Sequence, residues 1–574
     1  MPRSIAFARR VLFPIALLCG WVVGSASIAA SPPPARGIHG MVVSADARAS
    51  QAGLDVLTRG GNAVDAAVAV AFALAVTFPE AGNLGGGGFL LLRRSDGASF
   101  ALDFRETAPA ALTPEMFLDE HRHAVPARSV TGGLAVGVPG SVAGLWKAHA
   151  LWGTGRWADL LDPAIRMARQ GVRLSPHEAR EMAERVLDLA RDPAARLLFT
   201  RNGAPLLEGE ILVQRDLAGS LRRIADLGAP GFYEGRVAEA IVRTVARAGG
   251  VLTREDLAGY RPVLREPLTG SYRGHRVITF PPPSGGGVVL LQILGMLERY
   301  DLRSSGAGSS LTAHVMVEAC RRAYADRARW LGDPGFGQVP VNGLLSSDYL
   351  DARARSIRSD RATPSAEIAA GSPEGGAEHT ETTHFSVADR RGNVVAVTTT
   401  LNSSFGAAMV ADGTGILLNN EVDDFALAPG VPNQFGLTGS AANRVDGGKR
   451  PLSSMCPTIV LAPGGRGRPI LVLGSPGGAT IITSVLQVLV NLVDHQMDLQ
   501  EAVDAPRFHH QWLPDRIDHE ARAFPDDVAR ALVARGHSLN PRPPIGHVLA
   551  LGAASDGAWL GSADPRRGGL AVGF

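Results

Sequence analysis

Lysine is nearly missing from this chain: Lys147 and Lys449 are the only two among 57 basic residues in 574. That bias reports base composition rather than chemistry, and the formal net charge of +2 gives nucleic acid or an anionic surface nothing to bind. Cysteine is equally scarce, with Cys19, Cys320 and Cys456 in all. A Cys320–Cys456 disulfide is permitted, yet nothing in their spacing requires it. Zinc-type Cys/His spacing is absent, so no metal and no cofactor is expected. No internal repeat is evident. With 45% hydrophobic and 20% charged residues, the composition is globular, and the length suits one large α/β core or two to four smaller domains.

A membrane span is also lacking. Arg3, Arg9 and Arg10 precede the apolar run "VLFPIALLCGWVVG" and the small residues "SASIAA". The run is about 14 residues long and contains Pro14, whereas a spanning helix needs roughly 20. Residues 1–29 therefore read as a signal peptide, with no retained anchor and a periplasmic or secreted mature protein. The Arg9-Arg10 pair has poor flanks for twin-arginine export, and Cys19 lacks the small neighbour that lipidation needs. Losing this leader moves the charge from +2 to about −1.

What is present is a change of pattern along the chain. A long apolar helix is expected from near Asn62, followed by a strand pair, and residues 140–260 read as charge-studded helices. "FPPPSGGGVVLLQILGMLE" reads as a rigid turn and a helix. The segment "RATPSAEIAAGSPEGGAEH" is an exposed, cleavable linker. Beyond it come the strands "THFSVAD", "NVVAVTTTL", "GILLNN", "PTIVLA" and "PILVLG", then the apolar helix "GGATIITSVLQVLVNLVDH". Helices on either side of such strands suggest a layered α/β sandwich.

Thr382 and Thr383 stand where linker meets strand, and Thr398 to Thr400 end the next strand. Locally these are β-formers. A threonine freed as an N-terminus, however, becomes a nucleophile whose own α-amine is the base, titrating near 7.7–8. The wider sequence favours this second reading. "TTHFSV", "TLNSSFG", "GILLNNEVDDF", "PGVPNQFG", "KRPLSSMCPTIV" and "GSPGG", with "GGNAVDAAVA", "NLGGGGF", "DFRETAP", "YADRARWLGDP", "DAPRFHHQWLPD" and "ADPRRGG", occur in this order from about residue 38 onward. Together they resemble the γ-glutamyltransferases of the N-terminal nucleophile hydrolase superfamily.

The resemblance implies a four-layer αββα sandwich built jointly from a large chain, residues 30–381, and a small chain, residues 382–574, after self-cleavage between Glu381 and Thr382. It implies small-molecule partners, namely glutathione and related γ-glutamyl compounds, with water, amino acids or peptides as acceptors, and it implies that the two chains stay together as a heterodimer. Thr382 is the implied nucleophile, and Thr400 its hydrogen-bonding neighbour. Gly477 and Gly478 match the family's oxyanion hole; their run lacks the Gly-Lys-Ser/Thr of a phosphate loop. Arg105, Ser453 and Ser454 match the ligands of the substrate α-carboxylate, and Asn402, Glu421 and Asp424 those of its α-ammonium. Without the motifs, Arg105 is a surface charge, the serine pair a turn, and "EVDD" a solvated loop. Phe435 stands where a tyrosine is common, so a flap is expected without its closing hydrogen bond. His509 and His510, being adjacent, point apart and read as structural. A glutaryl or cephalosporin acylase, a polyglutamate-processing transferase and an uncleaved binding protein are the alternatives.

Overall fold

Period-two apolar runs become the strands of two seven-stranded sheets, each antiparallel throughout. The computed structural model describes residues 31–372, 383–428, 430–465 and 467–574. Along the first sheet lie Leu570–Gly573, Met41–Ser44, Thr383–Ala388, Val394–Thr400, Gly87–Arg93, Ser99–Asp103 and Val263–Arg265. The second runs Ala35–Gly37, Trp559–Ala563, Leu549–Ala553, Pro469–Gly474, Thr458–Leu461, His275–Thr279 and Leu268–Tyr272. The sheets face each other, so every residue of Thr383–Ala388 and Val394–Thr400 is buried.

Helices cover both outer faces. Ala47–Thr58 and Ala63–Thr77 lie on the first sheet, Gly286–Leu297 and Thr480–Val493 on the second, completing an αββα sandwich. The expected start at Asn62 is a capping box: its side chain accepts the N–H groups of Val64 and Asp65, while Asp65 accepts the N–H of Asn62. Every residue of Ala63–Thr77 is buried, which explains an apolar run with no polar face. Helices from Ser141–Trp152 to Arg254–Gly259 fill the middle of the chain, as expected.

One local expectation needs correction. "GILLNN" contributes only the two-residue strand Ile416–Leu417, paired with Val410–Ala411, because its asparagine end turns away to hold other loops. The motif "NLGGGGF" leads directly into a strand. Its last glycines open the strand Gly87–Arg93, and a Cβ on Gly86 would sit 1.9 Å from the Thr400 carbonyl oxygen. Glycine here lets one strand end press against the other.

Cys320 and Cys456 are both free and buried. One compact unit runs from Pro33 to Phe574. Among the described residues no helix is long and apolar enough to cross a membrane.

Phe89 of the first sheet stacks on Phe280, which directly follows the strand His275–Thr279 of the second, with centroids 4.2 Å apart. Phe89→Ala empties this junction and should cost about 3–5 kcal/mol in a urea melt. A loss below about 1 kcal/mol would show that the sheets are not locked there.

Candidate active site

The open end of the first sheet gathers the polar residues. Thr400 ends its strand opposite Gly87, and Thr383 pairs with Thr399. Glu381 and Thr382 lie outside the described residues. After Thr400 the chain turns sharply: Asn402 has φ +74°, a left-handed conformation that asparagine tolerates, and its N–H donates to Thr400 Oγ1 at 2.7 Å. Its Nδ2 donates to the Asn420 carbonyl at 2.9 Å, whereas its Oδ1 has no hydrogen-bond partner among the described residues.

Arg105 follows the strand Ser99–Asp103 and is wholly buried. Asp103 accepts its backbone N–H at 2.9 Å, Tyr260 donates to its carbonyl at 2.8 Å, and its Nε donates to the Pro451 carbonyl at 3.1 Å. With the base of the side chain fixed, the guanidinium fork meets Glu421 through Nη1 and Asp424 through Nη2, and Glu106 lies 3.5 Å from Nη1. The presumed carboxylate ligand and two of the presumed ammonium ligands are thus ion-paired with one another. Glu421 and Asp424 share the short 3-10 turn Glu421–Asp424, which Asn419 anchors. Asn419 accepts the N–H groups of Glu421 and Gly137 and donates to the carbonyls of Gly85 and Gly137.

One guanidinium therefore faces three buried carboxyl groups. Burial raises Glu106 to about 7 and lifts Glu421 well above the usual carboxylate range, with Arg105 opposing both shifts. Burial pulls Arg105 down, but Glu421, Asp424 and Glu106 outweigh it and hold the guanidinium charged. Glu421 Oε2 and both Glu106 carboxyl oxygens have no hydrogen-bond partner among the described residues. The cluster holds more carboxyl oxygens than its own donors use.

Ser453 and Ser454 are buried on the loop after Pro451. Ser453 Oγ accepts the Met455 N–H at 3.1 Å, and Ser454 Oγ accepts from Arg327. Arg327, on the helix Ser310–Trp330, is a residue that motif matching left without a role, although it stands in "YADRARWLGDP". Gly477 and Gly478 precede the helix Thr480–Val493 with φ of +128° and +68°. A Cβ on Gly477 would lie 2.5 Å from Thr480 Oγ1, so glycine is required. Thr383, Thr400, Asn402 and Gly477 line one cavity of about 360 Å³.

Two residues of the segment expected to form a flap, Gln434 and Phe435, line the cavity. Gln434 donates through Nε2 to Asp423 at 2.8 Å and accepts from Ser403 Oγ at 2.7 Å, and Asn433 donates to Asp424 at 3.3 Å. Phe435 lines the cavity and packs on the second sheet's core. His509 sits between Thr483 and Gln511 at 2.8 Å each, and burial lowers it to about 4; His510 meets Arg321 and Asp515. Both are buried in closed networks, as a structural role requires. Glu80, His177 and Glu181, which no motif united, bring possible ligand atoms within 4.8 Å of one another, and Glu80 and Glu181 line the cavity.

Two facing antiparallel sheets between helix layers, with a threonine-rich strand end opening into a polar cavity, define the class of the N-terminal nucleophile hydrolases. The family model described as gamma-glutamyltranspeptidase matches residues 49–574, and the chain belongs to that family. It is 45% identical to the glutathione hydrolase proenzyme of Escherichia coli K12, over 98% of each chain. It is 40% identical to the acylase ACY 1 proenzyme of Pseudomonas sp. SE83, over 94% of each. Among solved structures, cephalosporin acylase from Bacillus halodurans superposes with a TM-score of 0.84 at 28% identity, covering 96% of this chain and 98% of that one. Helicobacter pylori gamma-glutamyltranspeptidase gives 0.56 at 44% identity, covering 57% of this chain and 94% of that one.

The Glu106 carboxyl keeps its proton in the folded chain up to about pH 7, whereas the unfolded chain releases it near 4.5. Stability tied to this group is lost as pH rises through that window. Glu106→Gln, which does not ionise, should gain on the wild type by roughly 1–3 kcal/mol between about pH 5 and pH 8, read from urea melts. A constant difference across that range would mean that Glu106 is already ionised at pH 5.

Proposed function

We propose that this chain is an exported, self-processing γ-glutamyltransferase and glutathione hydrolase. The observation that carries the reading is the buried surplus of carboxyl groups, Glu106, Glu421 and Asp424 around the single Arg105, with unpartnered oxygens on Glu421 and Asn402. A γ-glutamyl group brings an α-ammonium that supplies the missing cation and donors, and an α-carboxylate that Arg105, Ser453 and Ser454 take up. The zwitterion exchanges with the internal ion pairs charge for charge. A glutaryl group has no ammonium and leaves the surplus uncompensated, which sets this reading above the acylase alternative.

In the proposed chemistry, Thr382 first attacks the Glu381 carbonyl; an N-to-O acyl shift and hydrolysis then divide the precursor into residues 30–381 and 382–574. The new α-amine takes the Thr382 hydroxyl proton while that oxygen attacks the γ-carbonyl of the donor. Negative charge on the carbonyl oxygen falls to the N–H groups of Gly477 and Gly478, and Thr400 orients the nucleophile. The glutamyl ester then passes to water or to an amine. The H. pylori chain spans 57% of this one, about the share that a large chain ending at Glu381 would occupy, which supports division there. The leader at residues 1–29 supports a periplasmic or secreted location.

Purified protein should run on a denaturing gel as bands of about 37 and 20 kDa, divided from 60.1 kDa. Thr382→Ala should give one uncut band, and two bands from that variant would remove Thr382 from the mechanism. The processed enzyme should turn over γ-glutamyl-p-nitroanilide in preference to glutaryl-p-nitroanilide; the reverse order would sink the γ-glutamyl reading. Asp424→Asn should cut kcat/KM for the γ-glutamyl donor by roughly 10- to 1000-fold, the cost of a broken buried ion contact, with a smaller effect on the glutaryl compound.

A further inference from the structure

The cavity has a second polar region that the glutamyl-binding residues do not use. Glu80 is 2% exposed; its Oε1 lies 2.8 Å from His177 Nε2, and its Oε2 has no hydrogen-bond partner among the described residues. Glu181 adds a second carboxylate and accepts from Ser404 Oγ at 2.9 Å. A metal ion is poorly served here. Arg180 lies 3.2 Å from His177 Nδ1, and a guanidinium only donates, so Nδ1 holds the lone pair and Nε2 the proton. The ring therefore turns an N–H, not a lone pair, toward Glu80. An ammonium needs acceptors alone, and Glu80 Oε2 and Glu181 supply them.

The same cavity is lined by Arg185, Arg542 and Arg567. Arg542 is paired with Asp518 at 3.1 Å and Arg185 with Asp188 at 3.5 Å. Arg567 has no salt bridge among the described residues and lines the cavity together with Glu80, whose carboxyl is raised by burial, with His177 and more weakly Arg567 opposing that shift. A carboxyl group with a spare acceptor and a guanidinium without a salt bridge among the described residues thus share one cavity.

We propose that this region holds the amino acid or short peptide that accepts the glutamyl group, its α-amine at Glu80 and Glu181 and its carboxylate at Arg567. The assignment rests on the γ-glutamyl transfer proposed above. The bound ammonium first loses one proton to water. Its nitrogen then attacks the ester carbonyl carbon, a C–N bond forms, the C–O bond to Thr382 Oγ breaks, and the proton shed by the nitrogen goes to that oxygen.

The test compares glycylglycine with glycylglycinamide, which lacks the carboxylate, as acceptors from γ-glutamyl-p-nitroanilide, with acceptor-free hydrolysis as each variant's internal reference. The wild type should favour glycylglycine by about 10-fold in acceptor KM, the value of one ion contact. Arg567→Gln should erase that preference and Arg567→Lys, which keeps the charge, should restore part of it. Glu181→Gln should raise KM for both acceptors alike. A preference that survives Arg567→Gln, or a wild type that shows none, overturns the carboxylate assignment; acceptor KM values untouched by Glu181→Gln overturn the amine assignment. A wild type that hydrolyses the donor but transfers to neither acceptor removes the acceptor region alone, whereas one that does not hydrolyse it removes the underlying function as well.

Discussion

The buried guanidinium of Arg105 is the charge around which the carboxyl cluster is organised. It has no access to water, so its charge must be met by the chain itself, and it is met by groups from distant segments: Glu106 beside it, Glu421 and Asp424 from a later loop, and the Pro451 carbonyl just before the serine pair. An unpaired buried charge is costly enough that these segments are held in one arrangement. The Asn419 amide, the flap residues Asn433 and Gln434, and the Ser129 hydroxyl on Asp423 then settle around the same short turn. Fold and site are joined here: the sheet sets where Arg105 begins, and electrostatics decides what gathers at its tip.

That arrangement sets three carboxyl groups against one guanidinium. Three carboxyl groups around one cation leave acceptor oxygens without donors, with Glu106 and Glu421 raised by burial. A ligand that brings both charges relieves the imbalance without needing water to enter. The two-layer sandwich contributes by burying both faces of the strand that ends at Thr400, so the polar groups at its tip cannot relax into solvent.

Much of this was legible in the sequence, because it rests on local rules. The Asn62 cap, the apolar helix after it, the strand pair on either side of "DRRGN" and the helix after "GSPGG" are written in short-range patterns. The motif residues Arg105, Asn402, Glu421, Asp424, Ser453, Ser454, Gly477 and Gly478 were equally readable, each in a short recognisable word. What could not be read was which words meet. Ser454 and Arg327 are 127 positions apart, Glu80 and His177 97, and only the folded chain pairs them. Nor did spacing reveal that Arg105 would hold its neighbours' carboxylates, since that follows from shared burial and not from any local signal.

The order of strands in the first sheet carries one more consequence. Thr383–Ala388 lies between Met41–Ser44 and Val394–Thr400, and the last residues of the chain, Leu570–Gly573, hydrogen-bond to Met41–Ser44 in turn. Sequence before the linker and sequence after it are woven strand by strand into a common core. Cutting the linker would therefore act like opening a clasp on cloth already sewn: it frees an end at the cavity and leaves no seam along which the two pieces could part.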